Sequence, residues 1–268
     1  MNERIVRLPF MENLVNLVVL ALLGLLTAFP IVHTLALSFS SATAASSGRV
    51  TILPVDITTQ AYRFVLENPA FLRSFGVSLL RVLVGVPVNM VLTILVAYPL
   101  SRSKEEFRAR GFFAWFFVIT VLFSGGLIPW YMVIRQTGLI DSFWSLILPG
   151  ALPVFNVILL ANSFRSVPKE LEEAAAMDGA GHWTILLRVL LPLSLPVLAT
   201  VTLFVAVGHW NAWFDGLILM NSPDKYPLQS YLQTVIINPD PRMLTERDLA
   251  LLKLISNRTT RAAQIFIS

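Results

Sequence analysis

The sequence predicts an all-α protein, a polytopic bundle of apolar helices that crosses a bilayer several times. Three observations predict it. Of 268 residues, 56% are hydrophobic and only 13% are charged, with a mean hydropathy of +0.72; a soluble domain carries about 25% charged residues. The apolar residues fall in successive runs, each near the roughly 20 residues that span a bilayer. Finally, Ser166–Pro196 is the only polar, charge-bearing stretch of its length in the middle of the chain.

The first apolar run is 14–39, broken only by Gly24, Pro30 and His33. A cleaved signal peptide is the competing reading, because Ala42-Thr43-Ala44 resembles a cleavage site. A signal's apolar core is about 7–15 residues, and this run is far longer, so an uncleaved first span with a cytoplasmic N-terminus is expected. Residues 40–68 are small, polar and proline-containing, an external loop with one short interfacial helix near 62–66. The second span is 74–100, running outside to inside. A short basic loop, 101–110, leads to a third span at 112–134. A turn at 135–142 with Gly138 and Asp141 precedes the fourth span at 143–164. The polar stretch comes next, and the fifth span is 196–220. Trp115, Trp130, Tyr131 and Trp144 lie near span ends and read as interface anchors.

Charge supports this topology. The proposed cytoplasmic segments hold Arg4, Arg7, Arg102, Lys104, Arg108, Arg110, Arg165, Lys169 and Arg188; the first two outside loops hold Arg49, Arg63, Arg73 and Arg135. That is the positive-inside asymmetry. The last outside segment, 221–260, runs against it with Lys225, Arg242, Arg247, Lys253 and Arg258, and long loops follow the rule poorly. The net charge of +4 is spread between apolar runs, without the basic stripe that marks a nucleic-acid surface. No cysteine is present, which excludes disulfides and thiolate sites. Three scattered histidines make no metal pattern. There is no phosphate-cradling G-x-x-x-x-G-K-[ST] stretch and hence no ATPase of the chain's own. No catalytic set emerges.

The polar stretch reads as a short helix, a glycine turn and a second amphipathic helix. Pro168 suits a first helical turn, where Glu170, Glu172 and Glu173 favour the positive helix end. Leu171, Ala174 and Ala175 share a face that another protein could approach closely. Gly179 falls where a helix stops in a left-handed conformation. Trp183, Leu186, Leu187 and Leu190 form a second apolar face, and Pro192 and Pro196 break or kink the chain after it.

This stretch resembles the cytoplasmic coupling ("EAA") loop of ABC importer permeases. The pattern is E-A-A, three residues, G, nine residues, I, any residue, L-P. Here it is Glu173-Ala174-Ala175, Gly179, Val189 in place of Ile, and Leu191-Pro192. FSGGLIP (123–129), LPG (148–150), PKELEEAA (168–175) and VGHWNAWFD (207–215) are similar to the binding-protein-dependent carbohydrate branch, the MalG, LplC and YtcP type. The likeness covers roughly 71–231. It implies a single type I ABC importer permease domain over 1–268, of five to six spans, with the coupling loop at 166–192. The chain stops as an apolar run begins at Ile265, so a sixth span beyond it is expected.

The resemblance further implies a bacterial inner-membrane, multi-pass subunit that forms half of a sugar or oligosaccharide pathway. Its partners would be a second homologous permease, two cytoplasmic ATPase subunits that carry ATP and Mg2+, and an external solute-binding protein. The loop would seat on an ATPase through Glu170, Glu173, Ala174, Ala175, Met177, Asp178 and Gly179. An importer for amino acids, peptides or another solute, and an ATPase-independent channel or scaffold, are the alternatives.

Polar groups inside spans need a reason, because lipid offers no hydrogen bonds. Pro87 and Asn89, Ser124–Gly126, Pro153 and Asn156, and Gly208–Asn211 all fall near span midpoints, the depth at which transporters bind. Gly208, Asn211 and Asp215 share one helical stripe, with Trp210 and Trp213 beside it. Asn89, Asn156, Trp210, Asn211, Trp213 and Asp215 are therefore the candidate pathway residues. Amides suit sugar hydroxyls and an aromatic ring suits a pyranose face. Helix packing is the competing reading for each of them. His209 reads as a structural histidine, and Arg81 as a residue that snorkels or pairs.

Overall fold

A computed structural model describes residues 10–234 and 257–267 of the chain. Arg4, Arg7, Arg242, Arg247 and Lys253, which entered the charge comparison, lie outside the described residues. The described elements are all helical. The chain divides into two compact units: Met1–Leu72 with Thr234–Ser268, and Arg73–Gln233.

The first unit is built on α1 (Phe10–Ser38), which continues through Pro30. Its first two-thirds is exposed leucine and valine, as expected of a lipid-facing helix. Two short helices come next, α2 (Ala42–Ser46) and α3 (Gln60–Glu67), where one was expected. The extra one is nucleated locally, because Ser41 caps α2 by accepting from the Ala44 amide at 3.2 Å. Ala44 and Ala45 are buried. Ser38 Oγ pairs with Tyr62 Oη at 2.7 Å, and the Val55 amide donates to Ser40 Oγ at 3.1 Å. A helix at Asn257–Ile267 packs on α1, α2 and α3.

The second unit carries the remaining elements. α4 (Pro69–Ser101) passes through Pro87 unbroken. It and α1 are the two described helices long and apolar enough to cross a membrane alone. Two of the other three expected spans, 112–134 and 143–164, are each a bent pair. α5 (Arg110–Leu122) and α6 (Leu127–Gln136) meet at 118°, so 112–134 is not one straight span. The break is the Ser124-Gly125-Gly126 segment, where the Gly126 amide donates to Ser124 Oγ at 3.2 Å and Gly126 takes φ +82°. In 143–166, two 3₁₀ turns bend by 52° into α7 (Val154–Ser166) at Pro153. The fifth expected span stops early: α11 (Leu195–Asn211) ends, and α12 (Phe214–Leu219) starts after an extended Ala212.

Between α7 and α11 lies the polar stretch: α8 (Lys169–Met177), α9 (His182–Ile185), a π turn at Leu186–Leu190 and α10 (Leu191–Leu193). The run His182–Leu193 turns into α11 at 83°, at the prolines that predicted a break. The unit's core gathers where α4 and α7 end and this stretch folds back. Ala97, Leu100, Leu160, Phe164, Ile185, Leu186 and Leu190 are buried together there. At the opposite end, Lys225 Nζ donates to Asp141 Oδ2 at 2.5 Å and the Asn221 amide to Asp141 Oδ1 at 3.0 Å. These bonds tie the turn after α6 to the turn after α12.

Candidate functional site

A cavity of about 490 Å³ opens within the second unit. α4 contributes Arg81 and Asn89, the 3₁₀ turns and α7 contribute Gly150, Pro153 and Asn156, and α11–α12 contribute Phe204, Gly208, His209 and Asp215. Asn89 is 3% exposed and donates from Nδ2 to the Gly150 carbonyl at 3.3 Å, which pins α4 to the 3₁₀ turn. Its Oδ1 is a buried acceptor with no partner among the described residues. Asn156 is 5% exposed, also faces the cavity, and sits in the first turn of α7. Two amides, with Trp130 and Phe204 beside them, make a wall that can hydrogen-bond hydroxyls and cover an apolar ring face.

One side of the cavity is an ionic cluster. Arg81 pairs in a fork with Asp215: Nη1 donates to Oδ1 at 3.2 Å and Nη2 donates to Oδ2. The pair is desolvated, with the Arg81 side chain 4% and the Asp215 side chain 20% exposed. Arg81 Nε donates to His209 Nδ1 at 3.3 Å. An arginine has no other role than donor, so Nδ1 is the acceptor and the imidazole proton sits on Nε2. Arg81 Nη1 also reaches the Ala212 carbonyl at 3.5 Å. Gly85 makes room for the ring, since a Cβ there would stand 2.6 Å from His209 Nε2. Arg81 therefore pairs, one of the two fates its sequence position predicted.

Three of the six predicted pathway residues line the cavity: Asn89, Asn156 and Asp215. The other three do not. Trp210 stands edge-on to Phe75 at 5.9 Å, Asn211 is exposed at the end of α11, and Trp213 is exposed and packs edge-on to Phe214. The Gly208–Asn211–Asp215 stripe assumed a helix that does not continue through Ala212. Trp130, expected at the interface, lines the cavity. Arg81, His209 and Gly208 belong to the wall as well. The signal for the Arg81 contact was available, because an arginine inside a span requires a carboxylate and Asp215 is the only acid in the later spans.

The polar stretch is built as its spacing predicts at the turn. The Gly179 amide bonds to Ala176 O at 3.0 Å and the Ala180 amide to Ala175 O at 2.9 Å, with Gly179 at φ +84°. This is the double-bonded left-handed stop that glycine favours. Glu170, Leu171, Glu173, Ala174, Met177, Asp178 and Gly179 are all exposed, Met177 by 85%. Ala175 departs from the expected outward face, since it packs on the core beside Ala180. The apolar face of the second helix is divided too. Leu186 and Leu190 are buried with Ile185, while Trp183 and Leu187 face out.

Comparison with known proteins matches residues 61–255 to the family described as binding-protein-dependent transport system inner membrane component. Protein LplC of Bacillus subtilis (strain 168) is 40% identical over 225 residues, 84% of this chain and 76% of that protein. The polygalacturonan/rhamnogalacturonan transport system permease protein YtcP of the same organism is 37% identical over 218 residues, 81% of this chain and 76% of its own length. Among solved structures, a chain of a bacterial ABC transporter involved in the import of the acidic polysaccharide alginate is similar with a TM-score of 0.91. It is 34% identical, and the match covers 100% of this chain and 94% of that one.

Proposed function

This chain belongs to the family of binding-protein-dependent transport system inner membrane components, and from that premise we propose that it is a permease subunit of an ATP-driven importer of oligosaccharides. It forms one half of the path, and a second homologous permease forms the other. Two cytoplasmic ATPase subunits hydrolyse ATP with Mg2+, and an external solute-binding protein delivers the cargo. The N-terminus and the 166–192 loop are cytoplasmic. The observation that carries this reading is a shared set of helices. α7 and α11, which bring Asn156, Gly208 and His209 to the cavity, are the two helices that the exposed loop joins.

The exposed flank of α8 and its turn, from Glu170 and Glu173 to Asp178 and Gly179, is the seat for an ATPase. The two alanines divide the work: Ala174 faces the partner, and Ala175 holds the helix on the permease core. Asn89 and Asn156 are the amides that meet cargo hydroxyls as the path opens and closes. Arg81 and Asp215 neutralise each other, so this wall offers hydrogen bonds more than net charge. The carbohydrate cargo is supported by the names of the relatives, YtcP for polygalacturonan/rhamnogalacturonan and the solved transporter for alginate.

The test is reconstitution of the complete complex with its binding protein, challenged with neutral and uronate-bearing oligosaccharides, amino acids and peptides. An oligosaccharide is expected to be the class that stimulates ATP hydrolysis and enters the vesicle. Stimulation by amino acids or peptides alone would assign the alternative cargo, and transport without ATP would assign a channel.

A further inference from the structure

The loop is covalently joined to α7 and α11 only. A third helix, α4, approaches it without any covalent link, and the contacts there are specific. Arg102, the residue after α4, forks onto Glu172 of α8: Nη1 donates to Oε2, and Nη2 donates to Oε1 at 3.3 Å. Each side chain is 14% exposed. Burial lowers the affinity of Arg102 for its proton, but the Glu172 bond and charge raise it further, so its pKa stands above the ordinary arginine value. The guanidinium also lies 4.7 Å over the Tyr98 ring, and Tyr98 Oη bonds to His182 Nδ1 of α9 at 3.1 Å.

One ion pair on a surface holds little, because exposed pairs are worth about 0–1 kcal/mol. This one is largely desolvated, bidentate and stacked on an aromatic ring, the arrangement in which arginine is most directional. Apolar contacts run parallel to it. Ala175 and Ala180 pack on the cluster that includes Ala97 and Leu100 of α4. Arg165 and Arg110 both donate to the Leu100 carbonyl, at 2.6 and 3.1 Å, which satisfies the last turn of α4 from α7 and from α5. α4 then runs unbroken from this junction to Asn89 and Arg81 at the cavity.

We propose that Arg102 and Glu172 are positioning residues that make α8 and α4 move as one rigid body, so that α4 is a third lever on the cavity, driven through a non-covalent strap. The proposal rests on the coupling role assigned to the loop above. It assigns to Glu172 a job different from that of its neighbour Glu173: Glu172 grips the permease, and Glu173 faces the ATPase.

The experiment uses the reconstituted complex and reads cargo transported per ATP hydrolysed. Coupling free energies between sites correspond to about 5–150-fold effects, and Arg102→Ala and Glu172→Ala are each expected to lower the ratio roughly tenfold. The chain has no cysteine, so Arg102→Cys/Glu172→Cys puts its only two thiols at the strap. Before bridging, this variant is expected to be uncoupled like the single variants. After bridging with a short, reducible thiol cross-linker it is expected to regain most of the ratio, and to lose it again on reduction. A single variant that keeps the normal ratio would overturn the proposal. So would a bridged complex that stalls, because the two residues would then have to separate during the cycle. If the alanine variants do not assemble, the bridged arm decides alone. Glu173→Lys separates the two levels of the argument: normal coupling in that variant sinks the role of the loop itself, whereas its uncoupling beside normal strap variants sinks only the strap.

Discussion

Arg81 shows what a single residue does in this molecule. A guanidinium inside an apolar span is tolerated because Asp215 and His209 consume its donors. Removing one partner of such a pair strands the other, at a cost of about 3–5 kcal/mol, whereas removing both is far milder. Asp215 keeps a fifth of its side chain exposed, so the low end of that range applies to Arg81→Leu. The Arg81→Leu/Asp215→Leu double variant is expected to recover most of the loss in thermal unfolding of the detergent-solubilised complex. Equal losses in single and double variants would show that the pair contributes no mutual stabilisation. Gly85→Ala drives a methyl into the His209 ring and is expected to cost about 1–3 kcal/mol by overpacking, in the same assay. Gly179, at φ +84°, accepts a side chain only with about 1–2 kcal/mol of backbone strain. Gly179→Leu is therefore expected to insert and assemble while its loop loses its stop.

Among the elements, what the sequence made legible was local. α1 and α4 are long apolar runs, and both are helices throughout. The α8 stop depends on a glycine and on hydrogen bonds within six residues, so its spacing was sufficient to read it. The bend between α5 and α6 was not legible as an angle, because a serine-glycine break permits a turn without setting its size. The end of α11 was hidden altogether. No glycine or proline marks Ala212; the carbonyl freed there is met by Arg81 from α4, a contact remote in sequence. The Gly208–Asn211–Asp215 stripe was therefore read by carrying a helical repeat through a residue where the helix had stopped. The far-end tie has a pH signature. The Lys225 bond and then the Asn221 amide hold the Asp141 carboxyl below its ordinary value. A lowered carboxylate pKa stabilises the fold above the unfolded value of about 3.9 and loses that contribution as pH falls through the lowered one. Asp141→Asn is expected to remove that acid-range loss, seen as a flatter dependence of unfolding temperature on pH below about 4.

For the molecule as a whole, the cavity and the loop lie on the same helices, and that shared framework is what the function requires. α7 and α11 leave the loop by covalent connection, and α4 joins it through Arg102 and Glu172. Asn89 and Asn156 line the cavity from the span midpoints at which the sequence puts them, and the Gly179 turn follows from its own spacing, because each depends on one helix. The strap and the Arg81 cluster join residues about 70 and 130 positions apart, a separation at which single-sequence periodicity carries no information. The central claim is that force generated on the exposed flank of α8 reaches the cavity. The measurement that tests it most directly is the ratio of oligosaccharide transported to ATP hydrolysed in vesicles containing the complete complex with Glu173→Lys. The account predicts that the complex assembles and that the ratio falls roughly tenfold, within the range of coupling free energies; an assembled complex with an unchanged ratio would contradict it.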